Sequence, residues 1–78
     1  MREKKLWLVI SFHTTAAAIG MEKLCREQEL PGRLIPVPRE ITADCGMAWR
    51  AAPEDRPVLE ALAQKNALEV EGFYELPL

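Results

Sequence analysis

The segment Leu6-Trp7-Leu8-Val9-Ile10-Ser11-Phe12 constrains the fold of this chain more than any other stretch. It is short, apolar and carries β-branched and aromatic residues, so it reads as a strand buried on at least one face. Side chains alternate along a strand, which puts Leu6, Leu8, Ile10 and Phe12 on one face and Trp7, Val9 and Ser11 on the other. The same segment follows Lys4-Lys5 and precedes Ala16-Ala17-Ala18, a pattern shared with secretory signal peptides. His13-Thr14-Thr15 interrupts the apolar stretch early, however, and cleavage would remove the best strand in the chain. The segment is therefore read as part of the folded domain.

A helix follows, with Thr14 or Thr15 as its cap. Ala17, Ala18, Met21, Leu24 and Cys25 recur at helical spacing, and Pro31-Gly32 is expected to end it. Residues 32–38 read as an edge strand, because Pro36 and Pro38 exclude a central, fully paired one. A loop from Arg39 to Gly46 leads to a short strand at Met47-Ala48-Trp49-Arg50-Ala51. Pro53 opens a second helix with Val58, Leu59, Leu62 and Ala63 as its apolar stripe and Asn66 as its C-terminal cap. The alternation from Leu68 to Tyr74 makes a last strand, with a bulge at Gly72.

The order strand, helix, strand, strand, helix, strand predicts an α+β fold. Its simplest form is the ferredoxin-like βαββαβ arrangement, an antiparallel four-stranded sheet with both helices on one face. The length of 78 residues fits one domain, residues 1–78, with a thin core. Right-handed crossovers then bring the start of the first helix and the Arg39-to-Gly46 loop to the same end of the sheet. That geometry moves His13, Thr14 and Thr15 toward Cys45. On the other face, Trp7 is expected to look outward, where it suits a partner or a homodimer contact.

The formal net charge of −2 argues against non-specific binding to nucleic acid or an anionic membrane, and no run reaches the length of a spanning helix. Two cysteines make no disulfide framework, so a reducing cytoplasm is the expected compartment. Two separated cysteines and one histidine do not form a standard zinc spacing, and no metal or cofactor is expected. There is no Gly-rich phosphate loop, paired-carboxylate signature or serine nucleophile elbow, and Glu69, Glu71 and Glu75 read as a solvated strand face.

The chemistry therefore turns on Cys45, in Asp44-Cys45-Gly46 on a polar loop. Gly46 would permit a left-handed backbone and leave the sulfur uncrowded and accessible. A thiolate there is favoured by the N-terminus of the first helix and by Arg39 and Arg50, the nearest cations in sequence, and opposed by Asp44. His13, at the strand-to-helix corner, could donate to an anion or take a proton from Cys45, or simply serve as a capping or exposed residue. Cys25 lies on an apolar stripe and reads as a small buried hydrophobe.

The stretch from Ile35 to Arg50, with Pro36-Val37-Pro38-Arg39 followed by Cys45-Gly46, resembles the selenium/sulfur carrier protein-like family of small bacterial and archaeal domains. Phe12-His13-Thr14-Thr15-Ala16-Ala17 and Met21-Glu22 extend the resemblance to nearly the whole chain, although Trp49 replaces a small aliphatic residue. The resemblance implies a compact α+β domain with a Cys-Gly loop. It leads to the expectation of a non-enzymatic carrier that holds a persulfide, or its selenium analogue, on Cys45. Sulfur or selenium donor and acceptor proteins would be its partners. His13, Thr14, Thr15, Arg39, Gly46 and Arg50 would form the surrounding binding residues. The alternatives are a ferredoxin-like binding or regulatory module working through the open sheet face, and a metal chaperone using Cys45 and His13.

Overall fold

A computed structural model of the chain describes residues 4–42 and 45–78. The elements are β1 (Leu6–Phe12), α1 (Thr15–Glu27), β2 (Arg33–Pro36), β3 (Met47–Ala51), a 3-10 turn (Pro53–Asp55), α2 (Arg56–Lys65) and β4 (Val70–Pro77). The strands form one sheet in the order β2-β3-β1-β4, and every neighbouring pair is antiparallel. This is the ferredoxin-like α+β arrangement expected from the element order.

The period-2 pattern of β1 sorts its side chains as the alternation predicts. Leu8, Ile10 and Phe12 join Trp49 and Ala51 of β3 on the face that carries the helices. Ala17, Ala18, Met21 and Cys25 of α1, with Leu59 and Ala63 of α2, close over them. Val58 was expected in the α2 stripe but is 45% exposed, which narrows the buried face of that helix to one residue per turn.

Thr14 caps the start of α1 and Asn66 the end of α2, as expected, and both helices close through a left-handed residue that the sequence did not signal. α1 stops before Pro31-Gly32, because Glu29 adopts a left-handed backbone with φ 57°. The N–H of Leu30 then donates to the Cys25 carbonyl and that of Glu29 to Arg26, a Schellman closure. α2 ends in the same manner at Ala67, φ 53°, with Leu68 donating to Ala63 and Ala67 to Gln64. Leu68 is thereby committed to the cap, so β4 begins at Val70 rather than Leu68 and runs on to Pro77. At the other end of α2, Pro53 opens the 3-10 turn and the α-helix starts only at Arg56. β2 is shorter than expected, since Val37 already leaves the strand. Gly32 keeps φ 152° and its Cα faces the Trp49 ring, where a Cβ would stand 2.5 Å from Cζ2. Both conditions require glycine.

The second face of the sheet is not bare. Pro38 to Ile41 form a turn closed by the Ile41 N–H on the Pro38 carbonyl, at 3.0 Å. The turn seats Ile41 against Val9 and Ala48, all three buried. Trp7 does point to this face but is only half-exposed, with the Arg50 guanidinium 4.1 Å and the Lys5 ammonium 5.4 Å from its ring centre. The register between β1 and β4 slips after Ser11, pairing Ser11 with Gly72 and Phe12 with Val70. Glu71 is the extra residue, one position before the expected bulge. Its carboxylate accepts from the buried Ser11 hydroxyl and from Tyr74, at 2.8 Å from the phenol. Glu71 is thus no solvated strand residue. Glu75 is exposed, as expected of a solvated strand face, and accepts from Arg56 at 3.1 Å.

Candidate functional site

The end of the sheet where β1 passes into α1 also receives the loop between β2 and β3. Thr14 has an extended backbone and caps α1, its hydroxyl accepting from the Ala17 N–H at 3.1 Å. Thr15 is therefore the first residue of the helix. The first amides of any helix lack intrahelical acceptors, so this end presents N–H donors and positive partial charge. Across the gap, the Val37 N–H donates to the Gly46 carbonyl at 2.9 Å, which carries the β2–β3 ladder one step past Met47. The Cys45 N–H donates to the Phe12 carbonyl at 3.3 Å and ties the loop to the end of β1.

These two attachments aim the Cys45 side chain under the start of α1. Its sulfur lies 3.6 Å from the Thr15 hydroxyl oxygen and accepts the Met47 N–H at 3.3 Å. The loop was expected to leave this cysteine accessible, but Cys45 is only 3% exposed and belongs to the core beneath the helices. Burial follows from the bond to Phe12, which turns the residue inward instead of onto the loop surface.

The other expected site residues divide into two groups. His13 and Thr15 are exposed beside Thr14 at the corner, and the His13 N–H donates to the Glu69 carbonyl. Gly46 is exposed and lies outside the left-handed region, so its expected backbone role does not hold. No described atom stands within 4 Å of a Cβ built on it. Neither backbone nor packing among the described residues demands glycine there. Arg39 is exposed at the turn that Ile41 anchors on the opposite sheet face, and no described contact links it to Cys45. Arg50 also lies on that opposite face, stacked on Trp7, and so is not a counter-charge for the sulfur. Asp44 lies outside the described residues. Among the described residues no group of three histidine, cysteine or acidic side chains could hold a metal ion. No described helix is long and apolar enough to cross a membrane.

Cys25 offers the contrasting environment. It is fully buried, with its thiol 3.6 Å from the Met21 sulfur. Burial, aided by the negative charge of Asp55, pushes its pKa from 9.0 up to about 11. Its neighbours suit a neutral thiol.

The profile of the family described as "Putative Se/S carrier protein-like" matches residues 8–75. The chain belongs to this family. The match spans β1 through most of β4 and includes the corner at Thr14 and the Cys45–Gly46 loop. Searches of curated proteins and of solved structures found no match. The family's description suggests a carrier and not a catalyst.

Sequence reasoning missed the burial of Cys45 and the Ser11–Glu71–Tyr74 network. A serine within the apolar β1 run was the available signal for the network, since a buried hydroxyl needs a partner. The direction of the Cys45 side chain had no comparable local signal, because it depends on a bond to Phe12 thirty-three positions away.

Proposed function

We propose that the protein is a carrier that holds a sulfane sulfur, or its selenium counterpart, on Cys45. The observation that carries this reading is the position of the Cys45 sulfur, with the Met47 N–H at 3.3 Å and the Thr15 hydroxyl at 3.6 Å, at the start of α1. The Cys45 thiol donates to the Thr15 hydroxyl oxygen and accepts the Met47 N–H, which holds the sulfur at the end of α1. The family description supports the same reading.

The transfer balances without an added oxidant. The Cys45 thiolate attacks the outer sulfur of a donor persulfide. A new S–S bond forms to Cys45, the donor's S–S bond breaks, and the donor leaves as its thiolate. Thr14 holds the helix end in place, and Thr15 and the free amides of the first turn offer donors to the terminal anion. Gly46 is exposed next to Cys45, and this is the side on which a donor or acceptor protein docks. Enclosure of Cys45 shields the bound atom from solvent between the two encounters. No bond in a substrate other than that to the carried atom is broken, so the role is not enzymatic.

Incubation with a persulfide donor followed by intact-mass measurement tests this. The wild-type protein and Cys25→Ser gain one sulfur atom, and Cys45→Ser gains none. A chain that loads on Cys25, or on neither cysteine, removes the proposal.

A further inference from the structure

The far end of the second sheet face holds a cluster that the carrier reading does not use. Arg33 of β2 and Arg50 of β3 are directly opposed in the sheet register. Like charges facing each other across two strands repel. Among the described residues neither arginine has an ion-pair partner, and nor has Lys5. The Arg50 guanidinium lies over the Trp7 ring at 4.1 Å, and Lys5 stands 5.4 Å from the same ring. The Nε of Arg50 is shut off from solvent and has no hydrogen-bond acceptor.

A cavity of about 220 Å³ opens at this place, lined by Trp7, Pro31, Gly32, Arg33, Arg50 and Ala51 among others, with no acidic residue in its wall. Two guanidinium groups, one of them stacked on Trp7, thus face a small concave space, and Lys5 stands against the same ring without lining it. Ordinary surface arginines spread apart or pair with carboxylates. Here the strand register fixes the two Cα positions opposite each other, and the stacking on Trp7 holds one guanidinium in place. Arg50 lies three residues along β3 from Met47, roughly 10 Å at the usual strand rise, and on the face opposite the Cys45 sulfur. The cluster is therefore separate from the carrier site.

We propose that Arg33 and Arg50, beside Trp7, form a binding site for a small phosphate-type oxyanion. A tetrahedral dianion presents enough oxygens to accept from two guanidinium forks at once, whereas a carboxylate presents two. It also offsets the repulsion between Arg33 and Arg50. The same chemistry is offered by free phosphate and by a phosphate monoester, and the volume suits the phosphoryl group of either.

The test is a titration of the full chain with inorganic phosphate and with glycerol phosphate, each against sodium chloride at matched ionic strength. Chemical shifts of the Trp7 and Trp49 indole N–H groups are followed. Saturable movement of the Trp7 signal with phosphate or with the ester, absent with chloride, is the expected result. Saturation by both identifies the phosphoryl group itself as the ligand, and saturation by the ester alone identifies an esterified source. Arg33→Gln, at an exposed edge position, weakens binding about tenfold or more, the usual scale for one charged hydrogen bond. Arg50→Lys, which keeps the charge and loses the fork, also weakens it. Arg26→Gln, outside the cluster, leaves it unchanged. A shift that follows ionic strength alone, or an Arg33→Gln protein that titrates like wild type, overturns the proposal.

Discussion

Raising the pH from 9 to 11 should destabilise this protein through Cys25, and replacing Cys25 with alanine should remove that effect. The thiol is fully buried on α1, and burial together with Asp55 raises its pKa from 9.0 to about 11. In the unfolded chain the thiol titrates near its ordinary value. Between pH 9 and 11 the unfolded state therefore gives up a proton that the folded state keeps. The folded state binds more protons in that window, so stability falls as pH rises through it and is unaffected by this group below pH 9. Two pH units correspond to about 2–3 kcal/mol. For a chain of this size the whole stability is on the order of 4–12 kcal/mol, so the loss is a large fraction. Urea unfolding followed by tryptophan fluorescence at pH 8, 9, 10 and 11 measures it in the wild type and in Cys25→Ala. Every other ionisable group is common to both proteins, so the difference between them isolates Cys25. At pH 8 the variant is less stable by about 1–2 kcal/mol, the cost of a small cavity. The gap should close by pH 10 and reverse near pH 11. A gap that stays constant from pH 8 to pH 11 would refute the reasoning.

Two further outcomes concern the helix ends. Thr14→Ala should cost about 1 kcal/mol in urea unfolding, because the Ala17 N–H loses its acceptor, while Thr14→Ser should stay close to wild type. Ala67→Gly should raise stability by about 0.5–1 kcal/mol, since Ala67 holds φ 53° at the C-terminal cap of α2 and glycine takes that conformation without strain. A destabilised Ala67→Gly protein would mean that the cap is not what limits α2.

The sheet was legible in the sequence because its signals are local. The alternation in β1 separated Leu8, Ile10 and Phe12 from Val9 and Ser11, and Pro36 with Pro38 marked β2 as an edge strand. The element order was enough to place the Cys45 loop beside Thr15. The details that escaped depend on contacts between distant residues. Ile41 reads as an ordinary loop residue but covers the second sheet face, which is why Trp7 is less exposed than its position suggested. Arg50 is near Cys45 in sequence, yet its strand parity puts it on the opposite face. Alternation along Met47 to Ala51 could have shown this, because Trp49 and Arg50 must point apart. The left-handed caps at Glu29 and Ala67 carry no glycine, so the usual signature of a helix end was missing.

The central claim is that Cys45 both accepts and gives up a sulfur atom. It is tested most directly by preparing the loaded protein, freeing it of donor, and mixing it with a second protein that bears one reactive thiol. Intact-mass spectra are recorded for both chains over time. Loss of one sulfur atom from the wild-type protein, matched by its gain on the acceptor and absent with Cys45→Ser, is the predicted result. A loaded atom that stays on the chain, or that leaves equally well from Cys45→Ser, would contradict it.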